Sequence, residues 1–244
     1  MISCRAVATG LTRMRSTARV LAVLAGVLAG CEKHGPEAGA TITKYRPSVE
    51  ARLAAVRQIG ERLKGMPALS SDGVSLDSGP AKLWTGLDSP LSTDNAILEE
   101  GSRLVRDLSV DPGYGVGTKE LWWCARILGD KYTAERISAS SAEAHLAHCA
   151  NAKYLLVVRV LESTYPRLEE GKTTFQPGSM TGEVRVFNLG TGKDLGGFRF
   201  TVRNSDVVMS KEGRARDYTA VSSDLTSQAN KEVRAGVAKY LGGS

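Results

Sequence analysis

Three segments in the last third of the chain are apolar or alternating over strand lengths. Tyr154 to Leu161 (YLLVVRVL) is a near-continuous, β-branched run, the composition that suits a buried pleated surface. Glu183 to Asn188 sets Val184 and Val186 on one side and Glu183 and Arg185 on the other. Leu195 to Asn204 sets Phe198, Phe200 and Val202 against Arg199, Thr201 and Arg203, again with the period of two that a strand requires. Gly190-Thr191-Gly192-Lys193-Asp194 predicts a hairpin between the last two, and residues 166–178 (PRLEEGKTTFQPG) a longer polar connection between the first two. The pattern predicts an antiparallel meander of three or more strands with one apolar and one charged face. Such a sheet needs a cover. The stripe Leu225, Ala229, Val233, Val237 and Tyr240 within Ser222–Leu241 supplies it as a helix, ended by Gly242-Gly243.

Upstream the period changes. Val49, Leu53, Val56, Ile59, Leu63 and Met66 recur every three or four residues, an amphipathic helix that Ser48 can cap and Pro67 ends. Its arginines fall mostly on other faces, as on a core-packing helix with a solvated basic side; a helix lying on a membrane surface is the alternative. Residues 67–92 read as irregular chain. Residues 94–108 are ambiguous, with helix preferred, and Asp111 to Gly117 is a glycine-rich loop without the Gly-Lys-Ser/Thr of a phosphate-binding loop. Residues 118–128 predict a helix presenting Leu121, Trp122, Cys124, Ala125 and Leu128, with Trp123 pointing elsewhere, and Ser141 to Ala150 predicts another. The fold class expected is α+β: helices, then the meander, then a covering C-terminal helix. No internal repeat is evident.

The first thirty residues follow a different logic. Arg13, Arg15 and Arg19 precede a ten-residue apolar run, Val20 to Ala29, too short to cross a hydrocarbon core about 30 Å thick and suited to the h-region of a signal peptide. The run closes in Leu28-Ala29-Gly30-Cys31. This resembles the lipobox of bacterial lipoproteins. The resemblance implies diacylglyceryl on the Cys31 thiol, cleavage before Cys31, and anchoring to a membrane by lipid; two or more acyl chains give stable attachment where one does not. Met14 opens a complete signal peptide of its own. Glu32, where an Asp would resemble an inner-membrane retention signal, favours the outer membrane in a Gram-negative source. The organisation expected is a cleaved signal peptide over 1–30, a lipidated cysteine and flexible tether over 31–47, and one extracytoplasmic domain over 48–244.

Export changes the meaning of composition. The formal charge of +6 includes Arg5, Arg13, Arg15 and Arg19 of the leader; without these four, 28 basic residues face 26 acidic ones. The remaining charges interleave, so the concentrated positive surface that nucleic acid requires is missing from the pattern. Of four cysteines, Cys4 leaves with the leader and Cys31 carries lipid, leaving Cys124 and Cys149. A disulfide is the plain reading for an exported pair. A zinc site of His145, His148 and Cys149, at i, i+3 and i+4 on one helical face, with Cys124 as fourth ligand, is an alternative, and free thiols are another.

No catalytic residue is assigned. The chain lacks a Gly-x-Ser-x-Gly elbow, a His-Glu-x-x-His pair and a Ser-x-x-Lys set. Pairs such as Glu99-Glu100 and Glu169-Glu170 read as solvated acids, and no cofactor is implied. The order of elements over residues 140–241 resembles small periplasmic domains of envelope lipoproteins and the N-terminal domains of TolB-type proteins, a likeness of pattern that transfers no functional residue. The expectation is a non-enzymatic binding or assembly module, partnered by the membrane through Cys31 and by an envelope protein or wall component. The meander edge and the 166–178 connection with Phe175 are the contact surfaces expected. A cell-envelope hydrolase and a metal-sensing lipoprotein are the alternatives.

Overall fold

The apolar stripe that begins at Val49 continues upstream through Tyr45, Ile42 and Ala38, each three or four residues apart. Helix α1 accordingly spans Glu37–Leu63 and carries Pro47 inside it. This corrects the flexible tether expected over 31–47: its last eleven residues are helical. Proline removes one intrahelical donor and crowds the preceding turn, but buried Ile42 and Val49 on either side hold the helix against the core. The computed structural model describes residues 37–77, 79–83, 95–104, 119–168, 174–208 and 218–242. All of them belong to one of two compact units, His34–Ser244. Cys31 and the 111–117 loop lie outside the described residues.

Two short elements follow, β1 (Gly73–Val74) and β2 (Ala96–Glu100). Residues 96–100 are thus a strand where a helix was the preferred expectation. Ala96, Ile97, Leu98 and Glu99 are all buried, because β2 runs parallel to β3 and is covered on both faces. The parallel step requires a crossover, and the crossover contains α2 (Gly101–Leu104), α3 (Glu120–Gly129), α4 (Lys131–Arg136) and α5 (Ala139–Asn151). The long strand β3 (Tyr154–Thr164) follows, then a two-stranded ribbon of β4 (Arg167–Leu168) and β5 (Phe175–Gln176), then β6 (Ser179–Asn188), β7 (Asp194–Arg203) and the C-terminal helix α6 (Tyr218–Leu241). The fold is α+β. The main sheet has the order β1-β7-β6-β3-β2, antiparallel except at β2–β3.

The sheet has two buried faces. On one, Tyr154, Leu156, Val158, Val184, Val186, Phe198 and Val202 meet Leu225, Ala229, Val233 and Val237 of α6. Gly236 lets α6 seat directly on the Phe198 ring, where any Cβ would collide. On the other face, Leu155, Val157 and Phe187 pack under α1, α3 and α5. The side expected to be charged and solvated is therefore covered at β6, whereas Arg199, Thr201 and Arg203 of β7 are exposed as expected. Glu183 is 0% and Arg185 5% exposed, and they survive burial by pairing, with Arg185 Nε 2.8 Å and Arg159 Nη2 2.7 Å from Glu183 Oε1. The 190–194 connection turns at Gly192, whose φ of 69° favours glycine, and Arg62 of α1 donates to its carbonyl. Among the described residues no helix is long and apolar enough to cross a membrane.

Candidate functional site

Helices α3, α4 and α5 form a corner whose joints are capped by side chains. Asp130 ends α3 and starts α4: its carboxylate accepts from the Tyr132 amide at 3.0 Å, from Thr133 Oγ1 at 2.6 Å and from Arg126 Nε at 3.3 Å. Ser138 starts α5, its hydroxyl accepting from the Ser141 amide at 3.1 Å and lying 2.9 Å from Ser141 Oγ. These are ordinary caps for amides that a helix start leaves without partners. The crossing of α3 and α5 is joined by the Cys124–Cys149 disulfide, Cα atoms 6.7 Å apart.

One turn before each cysteine, the two helices meet again. Glu120 precedes Cys124 by four residues and His145 precedes Cys149 by four, so the residues of each pair share a helical face. His145 Nδ1 lies 2.6 Å from Glu120 Oε1 with both side chains buried. The Trp123 ring stacks on the imidazole at 5.3 Å and 21°, and Trp122 meets Trp123 edge-on at 4.6 Å. Beside this group lies an open pocket of about 550 Å³, walled by Trp123, His145, Arg126, Tyr132, Arg136, Ser138 and Ser141 with Thr133 and Ile137.

No protein-family model and no curated protein matches the chain. Two solved chains match. One is the hypothetical protein CT253 from Chlamydia trachomatis, 17% identical over 40% of this chain and 59% of that one, with a TM-score of 0.25. The match thus spans less than two thirds of that protein's length.

The zinc set does not assemble. The Cys149 sulfur is bonded to carbon and to the Cys124 sulfur, so neither cysteine offers a thiolate. His145 directs Nδ1 at Glu120, and among the described residues no group of three His, Cys, Asp or Glu side chains is placed to hold a metal ion. His148 is buried on the same helix. Phe175 is half-buried in the β4–β5 ribbon, away from the α3–α5 corner in the chain order. Glu120, Trp123, Arg126 and Arg136 carried no sequence signal of their own. The signal that finds Glu120 is relational: once Cys124 pairs with Cys149, the same one-turn step on both helices brings Glu120 to His145.

Burial raises the Glu120 carboxyl above the ordinary 4.5, while its hydrogen bond and charge interaction with His145 pull the other way. A raised acid binds more protons folded than unfolded, so its contribution to stability is complete below the unfolded value and is lost as pH rises through the folded one. The melting temperature of the native protein relative to Glu120→Gln is therefore expected to fall from pH 4.5 upwards. Paired melting curves across the acid range check this; a difference that grows with pH contradicts it.

Proposed function

We propose that the chain is an exported lipoprotein, held to a membrane of the bacterial envelope by lipid on Cys31, whose α+β domain is a non-enzymatic binding module for an envelope component. The observation that carries the reading is the leader: basic residues, a ten-residue apolar run, then Leu28-Ala29-Gly30-Cys31. The buried Cys124–Cys149 disulfide supports it, since such bonds persist in oxidising compartments. Glu32 favours the outer membrane, facing the periplasm, in a Gram-negative source. Cys31→Ser is expected to abolish labelling by radioactive palmitate. It is also expected to lower retention in high-salt-washed membranes by about tenfold or more, because a lipid anchor and not surface charge provides attachment. A Cys31→Ser form that stays in the washed membranes overturns the reading.

One observation favours a hydrolytic reading as the second. The Glu120–His145 pair orients an imidazole in a pocket that Ser141 also lines, one helical turn away, the residue types of an acid–base–nucleophile set. That reading requires ester turnover that Ser141→Ala eliminates; the binding-module reading requires none.

A further inference from the structure

We propose that the α3–α4–α5 pocket binds a small organic anion, a carboxylate carried on a flat apolar body. The inference deepens the binding-module reading and rests on it. Charge is the first argument. Two arginines, Arg126 and Arg136, line the pocket and no lining residue is acidic. Arg126 is already paired with Asp130 at 3.3 Å, and its guanidinium lies over the Trp122 ring at 5.0 Å. Arg136 makes no ion pair among the described residues; its guanidinium rests on the Tyr132 ring at 3.9 Å. A guanidinium held against an aromatic face keeps its in-plane N–H fork for a bidentate acceptor. One compensated and one uncompensated arginine leave about one unit of positive charge, which matches a carboxylate better than a phosphate dianion.

Shape and polarity are the second argument. Trp123, Tyr132 and Ile137 give the walls apolar area, and the Ser138 and Ser141 hydroxyls add polar contacts. The volume of about 550 Å³ falls within the range of roughly 300–1,000 Å³ typical of small-molecule sites. An inorganic anion would leave the aromatic walls uncovered, and a neutral aromatic would leave Arg136 without a counter-charge. The disulfide fixes α3 against α5, and the Glu120 contact fixes the His145 ring, so these walls of the pocket are formed before a ligand arrives.

The test is isothermal titration calorimetry on the mature lipoprotein in lipid nanodiscs, with empty nanodiscs subtracted. The probes are 2-naphthoate, 2-naphthamide, 2-naphthyl phosphate and acetate. The expected result is one site for 2-naphthoate, with the other three weaker by about tenfold or more, the size of one charge-assisted hydrogen-bonded contact. Arg136→Ala should weaken 2-naphthoate by about tenfold to a hundredfold on the same basis, with Arg136→Lys intermediate and Arg199→Ala, on β7, without effect. Melting temperatures of the variants exclude misfolding as the cause. Equal binding of acid and amide, tighter binding of the phosphate, no binding of 2-naphthoate, or an Arg136→Ala protein that binds as before each overturns the proposal. The anchor reading fails separately, on membrane retention of Cys31→Ser, so the two failures are distinguishable.

Discussion

Glu183→Gln is expected to destabilise the domain by about 3–5 kcal/mol, the range for breaking a buried ion pair from one side. The carboxylate is fully buried and uses both oxygens: Oε1 faces Arg185 Nε at 2.8 Å and Arg159 Nη2 at 2.7 Å, and Oε2 accepts from the Leu69 amide at 2.7 Å. Its two arginines reach outward from there. Arg159 donates to the carbonyls of Leu63 and Met66, and Arg185 to that of Pro67 and to Asp194. The carboxylate thus ties the end of α1 and the chain beyond it to the middle of the sheet. Glutamine keeps the shape but removes the charge and turns an N–H towards groups that are themselves donors. Arg185 keeps Asp194, whereas Arg159, whose Nε already has no hydrogen-bond partner among the described residues, loses its carboxylate. At roughly 2–4 °C per kcal/mol for a domain of this size, the melting temperature at neutral pH should fall by about 10 °C. A loss below about 1 kcal/mol, the value of an exposed pair, contradicts this account of the network.

Removing the disulfide is expected to have the next largest effect. Cys124 and Cys149 are 25 residues apart in sequence, and releasing a loop of that length returns about 3–4 kcal/mol of chain entropy to the unfolded state. Both positions are buried, so a Cys124→Ala/Cys149→Ala double variant avoids burying hydroxyls and isolates the cross-link. Denaturant midpoints should drop in the double variant by the same amount as in native protein treated with reductant. The double variant itself should ignore reductant. Native protein whose midpoint is unmoved by reductant, or which shows two reactive thiols on unfolding without it, contradicts the cross-link. Because the bond joins the helices that carry Glu120 and His145, loss of it should also loosen the pocket walls.

Strands β6 and β7 and the covering helix α6 were legible because each buries a run long enough for its period to show, and β3 because its near-continuous apolar run is β-branched and of strand length. Residues 96–100 were not. Five residues buried on both faces lose the alternation that marks a strand, and a short apolar run is then equally compatible with a helix. The Pro, Gly and charged residues of 32–47 masked the stripe Ala38, Ile42, Tyr45 that extends α1. Glu183 and Arg185 read as a solvated face because a single strand does not reveal that its charges will find each other, and Arg159, beneath a helix. The site was less legible than the fold for the same reason. His145, Cys124 and Cys149 stand out by residue type, whereas Glu120, Trp123 and Arg136 gain meaning only from the corner that brings them together.

The most direct test of the central claim is the intact mass of the protein extracted by detergent from washed membranes of cells that express the full chain. The account predicts a polypeptide that begins at Cys31 and carries diacylglyceryl on that residue, with Cys124 and Cys149 two hydrogens lighter than the dithiol. A membrane-bound chain that retains residues 1–30, starts elsewhere, or bears an unmodified Cys31 contradicts it.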